Sequence, residues 1–223
     1  SATHQLSPRP ENWLKWMNIF SRTEKSQTIT SKSTDPEFGE IRLIPTRNSR
    51  SIRIYVRPFE GLVVKFPGGI PQKKVKHFID NKREWIRQAL ERARITEQKS
   101  IEHFSSQAAP SASEIRKSLT VRLNELAGIH GFTYNKVSLR NQKSRWGSCS
   151  GQNNISLNQK LYFLPEPLRD YVLVHELAHT LEKNHSPAFW EILFKIFGKI
   201  QTNAMRKELK AFDYLFYPPS TPS

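Results

Sequence analysis

Cysteine is almost missing: Cys149 is the only one in 223 residues. An internal disulfide is therefore impossible, and the expected setting is a reducing one, the cytoplasm. Long apolar runs are missing too. No stretch approaches the roughly 18–20 residues that a membrane span needs, and the first residues lack the basic, apolar and small-residue order of a secretory signal. There is no Gly-rich phosphate loop and no Asp-rich cluster suited to magnesium. Acidic side chains are scarce, with 20 Asp plus Glu against 35 Lys plus Arg, a formal charge of +15.

That imbalance is uneven. From Ile41 to Lys99 there are 15 basic and 5 acidic side chains. Such a field attracts nucleic acid, nucleotides, phosphates or acidic proteins, although charge alone speaks to association and not to chemistry. The basic N-terminal half is thus a candidate nucleic-acid platform. A basic, solvated surface is the plainer alternative.

Residues 1–40 are rich in Ser, Thr and Pro. They read as a partly ordered extension, with Trp13, Met17 and Phe20 on one face of a short possible helix. Period-two alternation then begins. Ile52, Ile54 and Val56 alternate with Arg53, Tyr55 and Arg57, and Leu62 to Phe66 follow a turn at Pro58 to Gly61. This predicts antiparallel strands with one wet, basic face. Val75, Phe78, Ile79, Trp85, Ile86 and Leu90 recur at helical spacing, predicting a helix over 71–94. These elements make a basic unit over 41–98, and Ser/Ala/Pro composition makes 99–113 a linker.

A C-terminal domain over 114–214 follows, before a tail at 215–223. It should open with a helix whose stripe is Ile115, Leu119, Leu123 and Leu126, ending near Gly128. Strands are expected over 134–139 and 154–157, separated by a polar loop over 140–151. Helices are expected over 166–183, 187–197 and 202–211. The fold class is α+β: antiparallel strands plus a helix, then a helical domain with a small sheet.

The chemistry lies in His175-Glu176-Leu177-Ala178-His179, an HExxH pattern. Residues four apart share a helix face, so both imidazoles reach one ion, and Glu176 is offset toward a water on it. Tyr171, Val172, Val174, Leu177 and Ala178 make the helix apolar over most of its girth. Buried imidazoles beside a buried carboxylate need a purpose, since an unpaired buried polar group costs about 1–3 kcal/mol. A third ligand is available in His185, provided the helix breaks first. Asn184 tolerates the left-handed conformation, and Ser186-Pro187 is an N-cap followed by a first-turn proline. Glu182 and Glu191 are rival ligands. Three histidines and an open position suit zinc, with Mn, Fe, Co or Ni as other divalent choices.

The loop from Lys143 to Ser150 brings two cations, three hydroxyls and a glycine together. It can cradle an anion, with Lys143 and Arg145 as contacts. Alternatively it is structural, with Trp146 plugging the core and Gly147 making a turn. Cys149 carries no sign of activation and reads as a small buried residue.

Arg140 to Ser150, Ile155 to Asn158, His175 to His179, Asn184-His185-Ser186 and Phe189-Trp190 together resemble the YgjP-like metallopeptidase family, a neighbour of the SprT-like and WLM zinc peptidases. The resemblance spans about 41–209, basic strands included. It implies a zincin-like site with His175, His179 and His185 as ligands and Glu176 as the catalytic residue. It further implies that the strand Asn154, Ile155, Ser156 and Leu157 offers an open edge to an extended substrate.

The expected function is a zinc-dependent hydrolase, foremost a metallopeptidase acting on protein or peptide through a metal-bound water activated by Glu176. One alternative keeps the metal and hydrolyses nucleoside triphosphates, which the loop cations would favour. The other is a nucleic-acid-binding module with a structural metal, against which Glu176 argues.

Overall fold

A computed structural model describes residues 31–47, 49–106 and 108–217. The possible helix around Trp13 to Phe20 and the tail from Pro218 lie outside the described residues. The described residues form two compact units, one holding those from Ser31 to Ser106 together with Tyr217, the other Ala108–Phe216.

The first unit is a four-stranded sheet backed by two helices. Strands β1 (Ser31–Asp35), β2 (Gly39–Thr46), β3 (Arg53–Arg57) and β4 (Gly61–Pro67) lie in the order β1-β2-β4-β3. The β3–β4 hairpin is antiparallel as its alternation predicts, with Ile54 opposite Val64 and Val56 opposite Leu62. The β2–β4 pair is parallel, so the sheet is mixed and not purely antiparallel. Alternation specifies which face is buried but not strand direction; β3 lies between β2 and β4 along the chain but at the sheet edge, so β4 returns alongside β2 in the same direction. Ile41, Leu43, Leu62 and Val64 pack on Val75, Ile79 and Ile86 of the helices, with Ile54 and Val56 beside them.

The single helix expected over 71–94 is two, α1 (Gln72–Asp80) and α2 (Arg83–Ser105), with the chain turning at Asn81-Lys82. α2 runs through residues whose composition suggested a linker. Phe104 is fully buried there, and the buried Ser100 hydroxyl donates to the Tyr217 carbonyl at 2.6 Å. Tertiary burial of two side chains overrides a weak local preference.

The second unit opens with α3 (Ala112–His130). Ser111 caps it: its hydroxyl accepts from the Glu114 amide while Glu114 accepts from the Ser111 amide, a reciprocal cap worth about 1 kcal/mol. Gly131 ends the helix in the left-handed conformation, which glycine adopts without steric cost. Ile115, Leu119, Leu123 and Leu126 are buried as their spacing predicts. Strands β5 (Lys136–Arg140), β6 (Gly147–Cys149) and β7 (Asn154–Asn158) form a sheet in the order β5-β7-β6. β6 lies inside the stretch expected to be loop. A 3-10 turn (Gln159–Phe163), then α4 (Glu166–Ala178), α5 (Pro187–Phe197), α6 (Lys199–Glu208) and a 3-10 segment (Leu209–Phe216) complete the unit. No helix among the described residues is long and apolar enough to cross a membrane.

Candidate metal centre

The centre is built at the C-terminal end of α4. Leu168, Tyr171, Val172, Leu173, Val174, Leu177 and Ala178 are all buried, so the helix is enclosed and what it carries is held rigidly. His175 sits in its last turn and His179 is its C-cap. The helix stops earlier than expected, at Ala178 and not near Lys183. The Thr180 hydroxyl and amide both turn back to the Leu177 carbonyl, at 2.7 and 2.9 Å, and the Leu181 amide bonds Ala178. These tight bonds end the helix, and the only non-glycine residues with positive φ among those described are Phe59 and Asn153. Asn184 is therefore not the breaker. The restart is as expected: the Ser186 hydroxyl accepts from the Phe189 amide at 3.3 Å, and Pro187 opens α5.

The excursion from 179 to 186 returns His185 to the helix. Ligand atoms of His175, His179 and His185 lie within 4.8 Å of one another, the one such group of three found among the described residues. His175 Nε2 and His185 Nε2 are 3.1 Å apart. Around a tetrahedral ion with metal–nitrogen bonds of about 2.0–2.1 Å, neighbouring ligand nitrogens stand about 3.3 Å apart. The three rings thus fit a single divalent ion. His179 Nδ1 donates to the Glu182 carbonyl at 3.0 Å, which fixes the tautomer and leaves Nε2 as the free donor atom. Glu182 so contributes a backbone oxygen and no carboxylate, and Glu191 is exposed on α5 outside the group.

Aromatic rings set the imidazoles. Phe189 stacks on His179 at 4.4 Å, Trp190 stacks on His185 at 5.7 Å, and Arg206 of α6 lies 5.0 Å over the Trp190 ring. Burial pushes His175 down to about 3, helped by its two histidine neighbours, and pushes His179 down as well. Both imidazoles are neutral near pH 7, the form that binds metal.

Glu176 is buried and its Oε2 has no partner. Burial pushes its carboxyl up to about 8, against the opposing pull of Arg145. An orphaned, buried carboxylate is a strained group that a neighbouring divalent charge would relieve. The neighbour that makes room for it is Gly147. A Cβ there would lie 2.7 Å from Glu176 Cγ, Cδ and Oε1. Gly147 lies in β6 and has no positive φ, so the glycine serves close approach and not a turn.

The polar loop before β6 is held from beneath. The buried Asn158 amide donates to the carbonyls of Gln142 and Arg145, at 2.9 and 2.8 Å, and its amide oxygen accepts from Lys160 N. Lys160 Nζ donates to Asn141 Oδ1 and the Gln142 carbonyl. Burial, aided by Lys143, pushes the Lys160 ammonium down to about 8. Arg145 is exposed and its charge acts on Glu176, whereas the charge of Lys143 acts on Lys160. Trp146 packs against Phe216, ring centroids 4.4 Å apart. The Cys149 thiol is pushed up by burial, so it is no activated nucleophile. Lys183 donates to the Ser150 carbonyl at 3.0 Å and to Asn153 Oδ1, bracing the β6–β7 turn.

Asn154, Ile155, Ser156 and Leu157 do not form an open edge. β7 is the middle strand, paired with β5 on one side and β6 on the other. The edge strands are β5 and β6, and of the two it is β6 that lies against Glu176. Sequence reasoning missed Gly147, Asn158 and Lys160 in these roles. Residue pattern alone marks Gly147 as a turn former, and a lysine after a strand carries no mark of burial.

The metallopeptidase model of the YgjP-like family matches residues 108–212. Over those residues the C-terminal unit is similar to the YgjP-like metallopeptidase domain. The match stops short of the basic strands, which the sequence resemblance had included. Two crystal structures of metallopeptidase zymogens are also similar. Abylysin of Pyrococcus abyssi is 25% identical, with 42% of this chain and 92% of that one covered and a TM-score of 0.38. Jannalysin of Methanocaldococcus jannaschii is 21% identical, with 42% and 94% covered and a TM-score of 0.38. No curated protein matches.

Proposed function

We propose that this chain is a zinc-dependent metallopeptidase whose site is the histidine triad and Glu176. The observation that carries the reading is the convergence of three imidazoles on one point beside a buried, unpartnered carboxylate, in a unit that matches a metallopeptidase family.

His175, His179 and His185 would hold the ion through one ring nitrogen each. When bound, zinc supplies a Lewis acid that polarises a carbonyl and acidifies water. Glu176 takes the proton of the attacking water on a carboxylate oxygen and delivers it to the departing amine. For that it must be ionised, and the charge of the ion works with Arg145 to lower it from its raised value. Gly147 keeps the carboxylate close under β6. An extended peptide pairs with the free side of β6, which sets its carbonyl over the triad. Arg145, exposed beside Glu176, steadies the oxyanion.

The test is metal content and turnover together. Purified protein should hold about one zinc per chain and cleave fluorescein-labelled casein, and Glu176→Gln should keep the zinc and lose the cleavage. Cleavage of nucleoside triphosphates instead, with casein untouched, would replace this reading by the phosphohydrolase one.

A further inference from the structure

The charges of the N-terminal unit are sorted by position. Strands β2 and β4 run parallel, from Gly39 to Thr46 and from Gly61 to Pro67. Around their starting end lie Asp35, Glu37, Glu40 and Glu60, and each is taken. Arg83 binds Asp35 at 2.8 Å and also Glu37 and Asp80, Arg87 binds Glu37, Lys32 binds Glu40, and Arg42 and Arg57 flank Glu60. Glu97 of α2 accepts from the Phe59 amide at that same end.

The finishing end is different. Arg47 and Arg50 lie on the β2–β3 loop, Arg53 begins β3, and Lys65 stands opposite Arg53 near the end of β4. Lys73 and Lys74 open α1, which starts five residues after β4 ends and has no acidic residue in its first turn. None of these six has an ion-pair partner among the described residues, and all but the half-buried Lys65 are exposed. From Ile41 to Ile79 the only acid is Glu60, which is tied up at the other end. Six cations gathered without counter-charges repel one another, a cost that a polyanion would relieve.

We infer that this end of the sheet binds the phosphate backbone of single-stranded nucleic acid. Three of the cations are arginines, whose planar forks match phosphate oxygens. Tyr55 stands on the outer sheet face between Arg57 and Lys65, each 5.7 Å from its ring, and offers a stacking platform next to the cationic end. An anionic membrane would ask for apolar anchors among the cations. The strongly exposed large apolar residues described in this unit, Trp85 and Ile95, both lie on α2. This inference does not depend on the peptidase reading.

The experiment is fluorescence anisotropy of the full chain with a fluorescein-labelled 20-nucleotide oligo-dT at several KCl concentrations. Binding should fall steeply with salt. The triple variant Arg47→Gln/Arg50→Gln/Arg53→Gln should weaken it at least tenfold at 50 mM KCl and lower the log–log salt slope by about 2. A charge-matched triple, Arg92→Gln/Lys99→Gln/Lys117→Gln, should change it less than twofold. Thermal melting checks that both fold, and Arg50→Gln alone, in the loop, should still cost severalfold if the triple does not. Equal losses in the two triples would reduce the effect to net charge and overturn the assignment. So would absence of binding at 50 mM KCl, tighter binding to a 20-base-pair duplex, or arginine-dependent binding to phosphatidylserine vesicles without oligonucleotide binding.

Discussion

Replacing Gly147 with alanine adds one methyl group at the most crowded point of the centre. That carbon would start 2.7 Å from three atoms of Glu176. Carbon atoms in good contact stand about 3.5–4.0 Å apart, so carboxylate and strand must separate by about 1 Å. Neither yields easily. β6 is fastened to β7 by its ladder, and Glu176 rides a helix buried over most of its surface between two histidines that must keep their places. Overpacking of this kind costs about 1–3 kcal/mol of stability. A catalytic group displaced by about 1 Å loses on the order of a hundredfold in rate. Gly147→Ala should therefore lower kcat about a hundredfold on labelled casein, leave KM within twofold, retain zinc, and unfold at lower denaturant. Gly151→Ala is the control, because nothing lies within 4 Å of a Cβ there. A Gly147→Ala protein with parental turnover and stability would refute both the placement of Glu176 against β6 and its role in moving the proton.

His185→Ala should drop zinc below one-tenth of stoichiometric by elemental analysis, while Glu191→Ala keeps it; the opposite result would move the third ligand to the carboxylate. Arg145→Ala should lower kcat more than it raises KM in steady-state kinetics, because an oxyanion forms only in the transition state; a rise in KM alone would mean that Arg145 binds a ground-state anion. Lys160 has a folded pKa of about 8 against an unfolded 10.5, so the unfolded chain binds more protons between those values and stability rises with pH across that window. The gain is at most about 3 kcal/mol, and denaturant midpoints at pH 7.5 and 9.5 should show it in the parent and not in Lys160→Met.

The grouping of the three histidines was legible in the sequence. Helical spacing places His175 and His179 on one face whatever the surroundings, and Ser186-Pro187 is a restart signal that works locally. The helix end was misplaced because Thr180 closes it through bonds to Leu177, an interaction that no residue preference announces. The sheets were harder. β6 is three residues long and polar, so no alternation marks it, and its pairing with β7 is what turns β7 from an edge strand into the middle one. The parallel β2–β4 pair is a long-range choice that local pattern does not encode. α2 extends past its apolar stripe, where Phe104 is buried and the Ser100 hydroxyl reaches a carbonyl far along the chain, that of Tyr217.

The early end of α4 has an electrical consequence. Its aligned peptide dipoles leave about half a negative charge at the C-terminus, and the three imidazoles converge there. A cation in the triad meets that field before any ligand bond forms, a gain of about 0.3–1 kcal/mol where the end is well exposed and more where it is enclosed. The same field acts against ionising Glu176 when the site holds no cation, and is offset when it does. On the proposed mechanism, loading the triad would therefore do two things at once: satisfy the helix end and ready the neighbouring acid to act as a base.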